Sequence, residues 1–110
     1  GAHTTLRAAL DDPVADVQWN AAVALARHGD ARGIRVLRRM LDRSHVAGLV
    51  TASETLNDPV SEVMISGLRA VAALADAVTA EDLHPSVVAL AESDQSLKVR
   101  QAALEVLEVL

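Results

Sequence analysis

Three stretches of this chain repeat one order of apolar and polar positions. They run from Asp12 to Leu25, from Asp58 to Val71 and from Asp94 to Leu107. Each opens on Asp, places Val five residues on, a small residue nine on (Ala21, Gly67, Ala103) and an aliphatic thirteen on (Leu25, Val71, Leu107). At ~100° per residue, the last three positions form a single stripe on a helix. Asp at the start suits an N-cap, where its carboxylate accepts from orphan N–H groups and meets the positive end of the helix dipole. Pro13 and Pro59 follow two of these Asp residues, at a position where a missing N–H costs nothing. The small residue in the stripe predicts close approach by another helix. We call these the A helices.

A second kind of segment alternates with them. Ile34 to Asp42 is the clearest copy, Leu6 to Asp11 reads as the tail of an earlier one, and Pro85 to Glu92 as a later one. These B helices give the order B, A, B, A, B, A. Gly29-Asp30 punctuates the first A–B junction, with His28 at the negative helix end and Gly29 free to take the left-handed C′ conformation. The intervals between the leading Asp residues are 46 and 36 residues. Most of the first surplus falls in residues 42–57, an insertion between repeats. Within it Thr51-Ala52-Ser53-Glu54 has the capping-box pattern of an extra helical turn, and reads equally well as irregular loop. The second surplus, Asp76 to His84, is a longer A-to-B connection.

Composition narrows the function classes. The chain has 110 residues, no Cys, a single Trp, and neither Phe nor Tyr. Without Cys there is no disulfide framework, thiol nucleophile or thiolate metal site. A net charge of −5 disfavours nonspecific binding to phosphate backbones. One aromatic residue provides no stacking platform for single strands. No run approaches the roughly 18–20 apolar residues of a membrane span, and no basic region followed by an apolar one marks a secretory signal. The expected location is the cytoplasm. Gly1-Ala2 has the form of a remnant left by a purification tag, so a single domain is expected over 1–110, with residues 1–3 a tag scar or a disordered end. The domain is expected to be a fragment of a longer protein.

The segment Asp-x-x-x-x-Val-Arg-Gln-Ala-Ala-Leu (Asp94 to Leu104) closely resembles the A-helix signature of HEAT repeats. Val17 to Asp30 is similar to their short bacterial variety, the phycobilisome-lyase-type HEAT-like repeat. The resemblance covers nearly the whole chain outside residues 1–3 and 42–57. It implies an all-α fold, an α-solenoid of about three antiparallel helix pairs in a right-handed stack, in which each pair buries its face on its neighbours. The family's Arg after the Val stands at Arg100 but is replaced by Gln18 and Met64, which breaks a continuous Asp–Arg ladder. Tetratricopeptide repeats need aromatic positions that this chain lacks, and the ankyrin Thr-Pro-Leu-His motif is absent.

Catalytic and metal-binding chemistry finds little purchase. His3, His28, His45 and His84 are not followed by Glu and form no pair at ligand spacing. The glycines are scattered rather than gathered in a phosphate loop. No cofactor and no metal is expected. Two features remain as candidates for partner binding. Trp19 lies roughly opposite the Val17, Ala21, Leu25 stripe, and either packs against a neighbouring helix or anchors a partner. Arg32, Arg35, Arg39 and Arg43 share one helix face by spacing, with Arg38 beside them and Ile34, Leu37 and Leu41 opposite. That row is either a solvated face or a docking strip for an acidic protein, since the resemblance implies that B helices line the concave surface. The expected function is a non-catalytic protein-interaction scaffold. The alternatives are a structural or regulatory domain of a larger enzyme, such as a lyase-like protein, and, third, a nucleic-acid binder. Weak end-to-end self-association is also expected.

Overall fold

In a computed structural model, residues 2–50, 58–76 and 82–110 are described, and they are all-helical, with no strand among them. Thr51-Ala52-Ser53-Glu54 lies outside the described residues. Seven helices follow in order: α1 (Ala2–Ala9), α2 (Ala15–Arg27), α3 (Ile34–Met40), α4 (Arg43–Leu49), α5 (Pro59–Ala73), α6 (His84–Ser93) and α7 (Leu97–Val109). The A helices of the sequence are α2, α5 and α7; the B helices are α1, α3 and α6. The helix α4 is additional and opens the insertion.

The A helices lie side by side, with α5 between α2 and α7. Helix α1 packs on α2, α3 on both α2 and α5, and α6 on α7. The molecule measures 38 × 33 × 17 Å, a slab about two helices thick, given a helix diameter of roughly 10 Å.

Two apolar clusters fill it. One joins Trp19, Ala22 and Ala26 of α2 to Leu37 and Met40 of α3, Val46 of α4, and Ala70 and Leu74 at the end of α5. The other joins Met64, Leu68 and Val71 of α5 to Val87 of α6 and Val99, Ala103 and Val106 of α7. Helix α5 contributes to both, so its two flanks are the seam of the domain. Burying a side chain such as Leu25, Leu37 or Leu68 completely contributes about 1.5–3 kcal/mol each.

The small positions have the role their spacing suggests. Ala21, Gly67 and Ala103 are all buried. A Cβ on Gly67 would stand 2.9 Å from Met40 Cβ, so α5 passes α3 at a distance only glycine permits. A Cβ on Gly33 would meet Ala22 Cα at 2.9 Å in the same way. The first A–B junction is a Schellman turn. Gly29 has φ +76°, and the N–H groups of Gly29 and Asp30 donate to the carbonyls of Ala26 and Leu25, both at 2.9 Å. Asp30 then accepts from the N–H of Arg32 at 2.9 Å and starts the short 3-10 turn Ala31–Gly33 that leads into α3.

Three local expectations need correction. Asp58 does cap α5, accepting from the N–H groups of Val60 and Ser61 with Pro59 in the first turn. Asp12 and Asp94 do not cap α2 and α7. Asp12 accepts from Val14 N–H at 2.8 Å, two residues on, and Val14 is the N-cap without a side-chain bond. The cap of α7 is Ser96, and Asp94 accepts from its N–H. Both Asp residues therefore shape the turn before the helix rather than its first hydrogen bonds. The third correction is the width of the buried stripe on α2. Val17 at its edge is half-open, whereas Trp19, expected on the opposite face, is only 6% exposed. Helix α2 is flanked by α1 on one side and by α3 and α5 on the other, so an arc much wider than a single stripe is covered.

Candidate functional site

Arg35, Arg38 and Arg39 are exposed on α3, and Arg32 is exposed in the turn before it. The helix is held by its other side, where Val36, Leu37 and Met40 are buried. Val36, adjacent to Arg35 in sequence, turns inward because a helix alternates its faces over 3.6 residues. Arg32 lies 3.9 Å from Asp30. No ion pair involves Arg35, Arg38 or Arg39 among the described residues. Beside the row, between α3 and α6, runs an open groove of about 470 Å³ with Arg38 on its rim and Leu41 and Leu90 among its walls.

Arg43 does not belong to this row. Its place at i+11 from Arg32 assumes one continuous helix, but α3 stops at Met40. Leu41 turns into the core, and Asp42 starts a new helix by accepting from the N–H groups of Ser44 and His45 at 3.1 and 3.3 Å. The change of axis sends Arg43 inward. Its Nε donates to Asp94 Oδ1 at 3.1 Å and its Nη2 to Asp94 Oδ2 at 2.7 Å, a two-pronged grip on one carboxylate. Nη2 also donates to Ser61 Oγ at 3.1 Å, and Nη1 lies 3.8 Å from Asp58 Oδ2. Ser61 Oγ donates in turn to Asp58 Oδ2. One guanidinium thus ties the start of α4 to the start of α5 and to the α6–α7 turn.

The electrostatics follow from that geometry. The side chain of Asp94 is only 4% exposed and that of Arg43 20%. Burial alone would raise the Asp94 carboxyl, but the hydrogen bonds from Arg43 and the Ser96 N–H outweigh it and hold the group below the ordinary aspartate range. Asp58 is lowered as well, first by the Ser61 hydroxyl and then by backbone N–H groups and Arg43. The hydrogen bond to Asp94 keeps the Arg43 guanidinium charged against the cost of its burial.

Trp19 lies in the α2–α3–α5 cluster with Met40 and Ala70, so its ring is a core side chain. It also borders an open cleft of about 330 Å³ together with Asn20, Val63 and Ser66. The partners of Arg43 were not evident from spacing. The signal that could have found them is Asp42 itself, an Asp two residues before Ser44, which resets the helical count ahead of Arg43.

Among the described residues no three His, Cys, Asp or Glu side chains gather in a way that could hold a metal ion. Nor is any helix among them long and apolar enough to cross a membrane. No protein-family model, curated protein or solved structure matches the chain.

Proposed function

We propose that this chain is a HEAT-like α-solenoid of stacked helix pairs that acts as a non-catalytic scaffold, binding an acidic protein surface along α3. The observation that carries the reading is the exposed row of Arg35, Arg38 and Arg39, with no ion pair among the described residues. Arginine presents a planar fork of donors suited to carboxylates, and a row of them on a helix fixed from behind is pre-organised. The neighbouring groove offers apolar wall to a partner side chain inserted beside a carboxylate. In a chain with net charge −5, a local concentration of positive charge also steers encounter.

The test is binding of a fluorescent Glu/Asp-rich peptide, followed by anisotropy at low and at physiological salt. Binding should weaken as salt rises, because exposed ion pairs are screened over roughly 8–10 Å. The Arg35→Glu/Arg39→Glu variant should lose most of the affinity, chiefly through a slower on-rate, while its circular dichroism and melting stay close to wild type. Unchanged peptide binding by the folded variant would reject the strip. Preference for a duplex oligonucleotide over the acidic peptide would favour the nucleic-acid reading instead.

A further inference from the structure

The open cleft beside Trp19 runs between α2 and α5 and has two parts. On α2, Trp19, Val23 and Arg27 follow at four-residue steps and so share one face. On α5, Val63, Ser66 and Arg69 follow at three-residue steps and do the same. The broad part, about 330 Å³, has Trp19, Met40 and Val63 among its walls. Val23, Arg27 and Ser66 border it and also a smaller hollow of about 80 Å³, which Arg69 and Ala70 complete.

The smaller hollow is basic. Arg27 from one helix and Arg69 from the other border it, together with Ser66, and no acidic residue does. Neither arginine makes an ion pair among the described residues. Asp16 borders the broad part, but it stands three helical turns from Arg27, about 16 Å along α2. Glu105 borders a separate cleft between α5 and α7, which Arg69 and Lys98 also line. Two like charges therefore face one hollow that holds no counter-charge, and an anion placed there relieves their repulsion.

The donors narrow the kind of anion. A guanidinium presents a planar fork that matches phosphate and carboxylate oxygens. Here two forks come from facing helices, and the Ser66 hydroxyl adds a third donor. A carboxylate has two oxygens in one plane to offer them. A phosphate monoester has three free oxygens in three directions, one for each donor group. Its ester substituent then extends into the broad part, against Trp19, Val23 and Val63. That part falls at the small end of the range of about 300–1,000 Å³ usual for small-molecule sites. The net charge of −5 opposes a long phosphate backbone, whereas a single phosphate needs only the local pair of arginines.

We propose that the cleft between α2 and α5 binds a small phosphate monoester with an apolar body, its phosphate held by Arg27, Arg69 and Ser66 and its body lying against Trp19, Val23 and Val63. None of Arg35, Arg38 and Arg39 borders this cleft, so the site is separate from the surface along α3.

The test is a nuclear magnetic resonance titration of the isotope-labelled chain with phenyl phosphate. Saturable shifts should gather at Arg27, Ser66 and Arg69 and at the indole N–H of Trp19, the single Trp of the chain. Phenol keeps the ring without the anion, and inorganic phosphate keeps the anion without the ring; each should bind at least about tenfold more weakly. Arg27→Gln and Arg69→Gln, at exposed positions, should each weaken phenyl phosphate binding about tenfold, the effect of one lost charge-assisted hydrogen bond. Their circular dichroism should be unchanged, and Ser66→Ala, also at an exposed position, replaces either variant that loses helicity. The Arg35→Glu/Arg39→Glu variant should bind phenyl phosphate as wild type does. Absence of saturable shifts at millimolar phenyl phosphate would overturn the proposal. So would equal binding of phenol, wild-type affinity in the Arg27→Gln/Arg69→Gln double variant, or shifts centred on α3. Tighter binding of a phosphoserine peptide than of phenyl phosphate would also overturn it, in favour of a protein ligand.

Discussion

Arg39 and Arg43 share a charge and stand one helical turn apart in the sequence, and they meet opposite surroundings. Arg39 projects from α3 toward water; Arg43 is folded under, gripped by Asp94 and Ser61. Nothing in the two side chains accounts for the difference. It comes from the two residues that end α3 and start α4, Leu41 going into the core and Asp42 capping the next helix. Solvent keeps the exposed row adaptable and individually weak in its effect on folding. The enclosed arginine is committed to one geometry, and breaking that geometry strands charge where water is scarce. The same residue type is thus a candidate recognition element in one place and a structural tie in the other.

The largest test of this contrast is Asp94→Ala. It leaves the Arg43 guanidinium half enclosed and the Ser96 N–H without its acceptor. Allowing for the residual exposure of Arg43, the expected loss is roughly 2–4 kcal/mol, a fall in Tm of more than about 10 °C for a domain of this size. Arg39→Ala should stay within about 0.5 kcal/mol of wild type. Thermal melts followed by circular dichroism compare the two, and equal effects would erase the distinction.

The next effect is on pH. Asp94 titrates below its ordinary value in the folded chain, so its contribution is complete above the ordinary aspartate range, near pH 4, and is lost as pH falls through that range toward the depressed value. Asp58 acts in the same direction, with less weight because its side chain is half exposed. Replacing the pair as Arg43→Met/Asp94→Leu should change stability little at pH 7, since an apolar pair of similar volume often matches a buried ion pair. It should also flatten the decline in Tm between about pH 5 and pH 2. A decline as steep as that of wild type would assign the acid sensitivity to other carboxylates.

The smallest effect should come from Asp42→Ala. It removes the bonds to Ser44 and His45 and should cost about 1 kcal/mol, the usual value of an N-cap. Because the cap also aims Arg43, the loss should shrink in the Arg43→Met/Asp94→Leu background. A double-mutant cycle measures that coupling, and simple additivity would mean that the cap and the bridge act separately.

Much of this arrangement was legible from the residues. The alternation of helix types, the Schellman turn at Gly29 and the close approach at Gly67 follow from local rules: a period of 3.6, a left-handed C′ position, and the absence of a Cβ. Other features were not, because they depend on neighbours. Packing of Trp19 against a neighbouring helix was one of its two sequence readings, but a single-stripe count cannot register that α2 is covered on two flanks. Asp12 and Asp94 look like Asp58 in sequence, and only the length of turn before each helix decides whether the carboxylate reaches the helix or the turn. Arg43 was assigned to the strip because regular spacing was carried across a helix end.

The bond from Arg43 to Asp94 joins residues 51 positions apart. In a row of helices that touch only their neighbours, the outer members can open while the rest stays closed, and stability is distributed along the row. This link works against such independence. Detaching α6 and α7 from the body removes the carboxylate from a guanidinium still held by α4 and α5, so local opening at that end carries an extra charge penalty. The end of the chain is thereby drawn into the same cooperative unit as the middle.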